Sequence, residues 1–168
     1  MTLRRVAGRA SRQNRVTASV PVDDKENSMT TLTTGLQPSR TAAIAAAIGF
    51  IAIVAFQAAL ALGAPLGRAA WRGAHVQLPI KLRIASAFAV AFWGLASLIV
   101  MGRAGLQVVP LPSAFLRWGT WILVGLLPLG ALMNFASRSP WERFLWGPVA
   151  LILSALCLMV ARGATRAS

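Results

Sequence analysis

Four apolar runs, each set off from the next by a stretch holding proline and arginine, give this chain its pattern. They extend over about residues 41–62, 84–101, 118–135 and 146–161, and none contains Asp, Glu, Lys, Arg or His. At a rise of about 1.5 Å per residue the first covers about 33 Å, enough for a hydrocarbon core with slight tilt. The second is barely long enough to cross. The pattern predicts an all-α, polytopic membrane protein: a bundle of four transmembrane helices within residues 41–162. A polar tail over 1–40 precedes it and a short polar tail over 163–168 follows.

Details inside the runs refine the picture. The first helix holds ten alanines and Gly49, and small residues at four-residue spacing (Ala45-Gly49, Ala55-Ala59, Ala59-Gly63) let backbones approach closely in lipid. It is therefore expected in the middle of the packing, or as a contact with a second copy or a larger membrane complex. Gln57, its one polar side chain, is expected to bond across to another helix. Pro128 should bend the third helix and leave a backbone carbonyl for a neighbour to satisfy. Trp118 and Trp121 belong at headgroup depth.

The connections carry the charge. Residues 63–83, GAPLGRAAWRGAHVQLPIKLR, form a long basic loop, and residues 102–117 are apolar for a loop but hold Pro110 and Pro112. Residues 134–148, NFASRSPWERFLWGP, turn the third crossing into the fourth. They contain Glu142, the only acid after residue 26. With four spans the 63–83 and 137–143 connections share one membrane face, which brings Trp71, His75, Arg83, Asn134, Arg138 and Glu142 together as a candidate ligand-binding or structural polar cluster. An unpaired carboxylate near hydrocarbon is costly. Glu142 is accordingly expected to pair with Arg68, Arg72, Arg83, Arg138 or Arg143, its own place being the first turn of a helix begun by Ser139-Pro140.

Composition agrees with the pattern. Hydrophobic residues make up 57% of the 168, charged residues 12%, and mean hydropathy is +0.65, whereas soluble domains carry about 25% charge. The net charge of +13 is dispersed between the apolar runs, which fits anionic headgroups and argues against nucleic acid as a partner. Cys157 is the only cysteine and His75 the only histidine. No disulfide framework, redox pair or histidine-based metal set can be assembled from them. Ion-coupled transport wants an ionisable group at depth, intramembrane proteolysis a serine with a histidine, and haem binding a histidine in a helix. The spans hold none of these, so no catalytic, cofactor-binding or metal-binding residue is assigned and the reading leans away from an enzyme.

The segments GAPLGRAAWRG, LPIKLRIAS, MNFASRSPWERFLWGPV and the closing VAR, taken together, resemble a family of small bacterial, actinobacterial-like four-helix integral membrane proteins. The resemblance covers about Ala42 to Arg162 and implies the four-span layout in a bacterial plasma membrane. It carries no activity and no residue roles. Two functions follow as expectations: a non-enzymatic membrane module or accessory subunit, which is favoured, and a binding protein for a lipid headgroup or small lipophile at the 63–83/137–143 face.

Charge does not orient the bundle, because from Met29 onward one face has six Lys or Arg (68, 72, 81, 83, 138, 143) and the other five (40, 103, 117, 162, 166). The Arg-rich tail over 1–28 lacks the apolar segment of a signal peptide. In a GC-rich gene, Lys25-Glu26 would be written as a purine-rich ribosome-binding sequence just ahead of Met29. Sequencing the native N-terminus should therefore start at Met29 or Thr30, and recovery of peptides covering Arg4 to Arg15 would contradict this.

Overall fold

The computed structural model describes residues 38–106 and 109–163, and each of the four apolar runs forms a helix within them. Helix α1 is Pro38–Ala61, α2 Ile80–Arg103 and α3 Ser113–Phe135. Helix α4, Gly147–Gly163, continues backwards through a π-helical turn, Glu142–Trp146. All four are long and apolar enough to cross a membrane, with mean hydropathies of 2.3, 2.1, 1.5 and 2.3. The protein is an all-α, multi-pass four-helix bundle. Its outer surface is apolar, with Phe88 and Met133 each 74% exposed and Ile48 65%, which suits lipid and would be an aggregation hazard in water.

Helix α1 packs against α2 and α4, α3 packs against the same two, and α1 and α3 lie diagonally opposite. The chain ends of the bundle meet: a side chain on Gly163 would strike Ser39, 2.5 Å from the Cβ position. Ala46, Phe50, Val100, Leu123, Leu153 and Cys157 form the central core, where Phe50 stacks on Trp93 at 5.6 Å. The polar tail read over 1–40 lies outside the described residues up to position 37. So do 164–168 of the C-terminal tail and residues 107–108 of the second connection.

All four helices are longer than the apolar pattern indicated, and prolines explain three of them. Pro79 and Pro112 occupy the residue just before α2 and α3 in extended conformation, so the helices start at once at Ile80 and Ser113 rather than near 84 and 118. Proline has no N–H to lose there and its φ is already set. In the last crossing the helix starts at Pro140, with Glu142 in its first turn. Pro148 is correspondingly deep inside, where it cannot donate to the carbonyl of Phe144. The helix widens to accommodate it: the Gly147 N–H bonds the Glu142 carbonyl five residues back.

Pro128 makes the same demand on α3, and it is met from outside. The carbonyl four residues before it, on Val124, accepts from Ser154 Oγ of α4 at 3.3 Å. The small-residue seam of α1 also differs from the expected one. Ala42, Ala43 and Ala46 are buried, the first two against Val160, while Ala45 and Ala55 face outwards. The inward stripe follows the three-and-four spacing through Phe50, Ile53, Gln57 and Leu60 rather than strict four-residue steps.

This assigns different tolerances to three positions on one helix. Gly49 has no room, since an added Cβ would sit 2.7 Å from Leu153 Cδ2, and Ala43 is fully buried. Gly49→Leu and Ala43→Leu should each destabilise the purified protein by about 1–3 kcal/mol through overpacking. Ala45→Leu should leave thermal unfolding in detergent unchanged, and a comparable loss at this position would show that the outer face of α1 is itself packed.

Candidate functional site

The membrane face opposite the described chain ends is built from two connections locked together by side chains. Residues 63–79 leave α1, make a short 3-10 turn at Gly67–Ala69 and a tight reversal at Trp71–Gly73, and return to α2. In the reversal the Gly73 N–H donates to the Ala70 carbonyl at 2.9 Å, and Trp71 and Arg72 both have positive φ, 49° and 65°. That is the mirror-image turn which Asn and Gly normally occupy. For residues with a Cβ the left-handed conformation costs about 1–2 kcal/mol each, so something must hold it.

Four side chains do so. Glu142 Oε1 accepts the backbone N–H of Arg72 at 2.8 Å. Trp71 Nε1 donates to the buried Ser86 Oγ at 3.1 Å, Trp146 Nε1 to the Ala69 carbonyl at 2.7 Å, and Ser139 Oγ to the Arg68 carbonyl at 3.1 Å. The expected ion pair of Glu142 with an arginine is replaced by a bond to main chain. Two of the guanidinium groups counted as its partners cap helices instead. Arg83 Nε donates to the Ala61 carbonyl at 2.9 Å, at the end of α1. Arg143 donates to the carbonyls of Phe135 and Ser137, at the end of α3. Cations at helix C-termini bind orphan carbonyls and complement the dipole.

Beneath the reversal lies a cavity of about 710 Å³, within the range of small-molecule sites. It reaches from Glu142, Asn134, Ser137 and Arg72 at the loop end down to Trp93, Leu127 and Leu153. The eleven residue steps from Glu142 to Leu153 correspond to about 16 Å along a helix axis. Toward the other membrane face α2 and α3 approach closely, with Leu116 against Gly102 and Ile99 against Gly119, whereas Trp93 is the one α2 residue that lines the cavity among the described residues. Toward the loop end Leu126, Leu129, Gly130 and Met133 of α3 line the cavity and are exposed. A Cβ added at Gly130 would meet nothing within 4 Å. This side is therefore open at hydrocarbon depth.

Of the six residues singled out from sequence, Trp71, Asn134 and Glu142 line this cavity. Arg83 does not, because it caps α1. Arg138 faces a separate outer cleft, and His75 is exposed and belongs to neither. Gln57 lines the cavity, contrary to the expected helix-to-helix hydrogen bond: its Oε1 is buried without a partner among the described residues. Such an atom costs about 1–3 kcal/mol. The side-chain amide of Asn134 likewise makes no hydrogen bond among the described residues. Position in the span is the available signal for Gln57, since a lone amide amid apolar residues needs a partner.

The Glu142 bond sets a ranking of variants. Glu142→Lys removes the acceptor beneath a strained turn and should cost about 1.5–3 kcal/mol, the worth of a charge-assisted bond. Glu142→Gln keeps an acceptor at the same reach and should lose about half of that. Melting in detergent should place wild type highest, the Glu142→Gln variant next and the Glu142→Lys variant lowest, and coincident curves would show that the carboxylate holds nothing. Compared with protein-family models, with curated proteins and with solved structures, the chain matches none.

Proposed function

We propose that this chain is a membrane-embedded binding protein for a small lipophilic molecule with a hydrogen-bonding end, working in a bacterial plasma membrane. The observation that carries the reading is the cavity itself, which is apolar toward mid-bilayer, polar at the loop end and open sideways at hydrocarbon depth. A ligand dissolved in the bilayer enters between α2 and α3 without crossing water. Its apolar part lies along Trp93, Leu127 and Leu153, and its polar end meets the amides of Gln57 and Asn134, unpaired among the described residues, beside Glu142. Both amides offer a donor and an acceptor, so a hydroxyl, carbonyl or amine fits.

The alternative, a packing module that recruits partners through α1, has less support. The buried small residues Ala42 and Ala43 are already used inside the bundle against Val160. Native mass spectrometry of the protein in mild detergent separates the two readings: a retained small lipophile supports binding, and a retained partner subunit supports the module. Gly130→Trp, at a position where an added Cβ meets nothing within 4 Å, should fill the open mouth and abolish retention while leaving the melting temperature unchanged. Gln57→Leu should weaken retention by on the order of tenfold, the worth of about one hydrogen bond, and leave stability equal or higher because an unsatisfied buried oxygen is gone. Undiminished retention in both variants would refute the cavity as the site.

A further inference from the structure

We infer that the outer cleft, on the far side of the Trp71–Gly73 reversal from the cavity, is a binding site for a phosphate oxyanion, supplied by the headgroup of an anionic lipid. The cleft holds about 400 Å³ and is lined by Arg68 and Arg72 from one connection and Arg138 from the other, with Ser139 and Trp141 beside them. All three arginines are exposed, and their guanidinium groups make no hydrogen bond or ion pair among the described residues. This distinguishes them from Arg83 and Arg143, whose donors are used on helix ends. Glu142 is the only acid among the described residues, and it lines the cavity, not the cleft. Three guanidinium-bearing side chains line one cleft that has no acid in its lining among the described residues, and guanidinium forks match phosphate geometry bidentately.

The arrangement is built rather than incidental. The arginines come from connections far apart in the chain, and they are held together by the Ser139 Oγ bond to the Arg68 carbonyl, across 71 positions. At Gly73, φ is +70°, and an added Cβ would lie 3.1 Å from the Arg68 carbonyl and 3.2 Å from Ser139 Oγ, so the two connections meet over a residue with no side chain. Trp141, 57% exposed at the rim, marks headgroup depth, where an indole sits between hydrocarbon and water. A diacyl phosphate lipid brings its oxyanion to this depth, and its acyl chains run down the apolar outside of the bundle. The cleft shares Arg72 with the cavity wall, but Arg68, Arg138, Ser139 and Trp141 belong to it alone.

The test uses the full chain in mild detergent, with phosphatidylglycerol, phosphatidylcholine and glycerol phosphate as probes, read by native mass spectrometry and thermal unfolding. Phosphatidylglycerol should be retained in preference to phosphatidylcholine. Arg68→Gln with Arg138→Gln should weaken that retention by on the order of tenfold, while Arg117→Gln, at the start of α3 over Trp118, should leave it unchanged. Arg138→Gln alone provides a second reading should the double variant fold poorly. Glycerol phosphate acting at the same concentration as phosphatidylglycerol would keep the oxyanion site but overturn the lipid as its source, assigning a soluble ligand. Undiminished retention in the arginine variants, or an equal loss in Arg117→Gln, would overturn the site and leave only diffuse charge.

Discussion

The contact between the Glu142 carboxylate and the backbone N–H of Arg72 joins the two connections at the point where both are least stable by themselves. On one side is a left-handed turn of two residues with side chains. On the other is a helix entry stretched by Pro148 into a π-helical turn. Neither is a conformation its residues would choose alone. A backbone donor suits the carboxylate because its position is fixed by the turn, whereas a guanidinium on a flexible stem could leave for the headgroups. The bond also closes the loop end of the cavity, since Glu142 and Arg72 both line it. Remove the constraint, and the cavity and the arginine cleft lose their common wall.

Lipid as solvent explains the remainder of the architecture. With no water at depth, a carbonyl released by a proline needs a partner, and at Pro128 the structure supplies one. Val124 is served by Ser154 from a neighbouring helix, while around Pro148 the helix shifts its own bonding register. Gln57 Oε1 and the Asn134 amide stand outside this accounting, and both lie on the cavity. Thr120, by contrast, is satisfied locally by bonding the Leu116 carbonyl.

The spans, their number and the four-helix class are legible in the sequence because hydrocarbon imposes length and apolarity on any crossing segment. Glu142 stands out as a solitary acid and does hold the loops, but its partner is hidden: charge counting points to arginines, while a backbone N–H cannot be read from side-chain identities. His75 draws attention by being unique, and uniqueness says nothing of burial; it is exposed. Arg83 looks like a ligand group when its guanidinium is counted as a charge rather than as a helix cap. The inward face of α1 is hard to place because ten alanines make every face look small, and only Phe50, Gln57 and Leu60 mark the true side. The cavity has no sequence signature, for it depends on how the helices pack around it, including the close approach of α2 and α3 at Gly102 and Gly119.

The π-helical turn at Glu142–Trp146 holds one residue more than an α-helical turn would over the same rise. One residue corresponds to a rotation of about 100° about the helix axis. The extra residue therefore works as a phase adjuster between two readings of one helix: it lets Glu142 and Trp146 face the loops while Leu153, Cys157 and Val160 further along remain in the core. Lineages that lost a single residue in this turn would keep the crossing and its apolar seam but point the carboxylate elsewhere. Length across this segment would then record, more plainly than residue identity, whether a descendant keeps the loop lock.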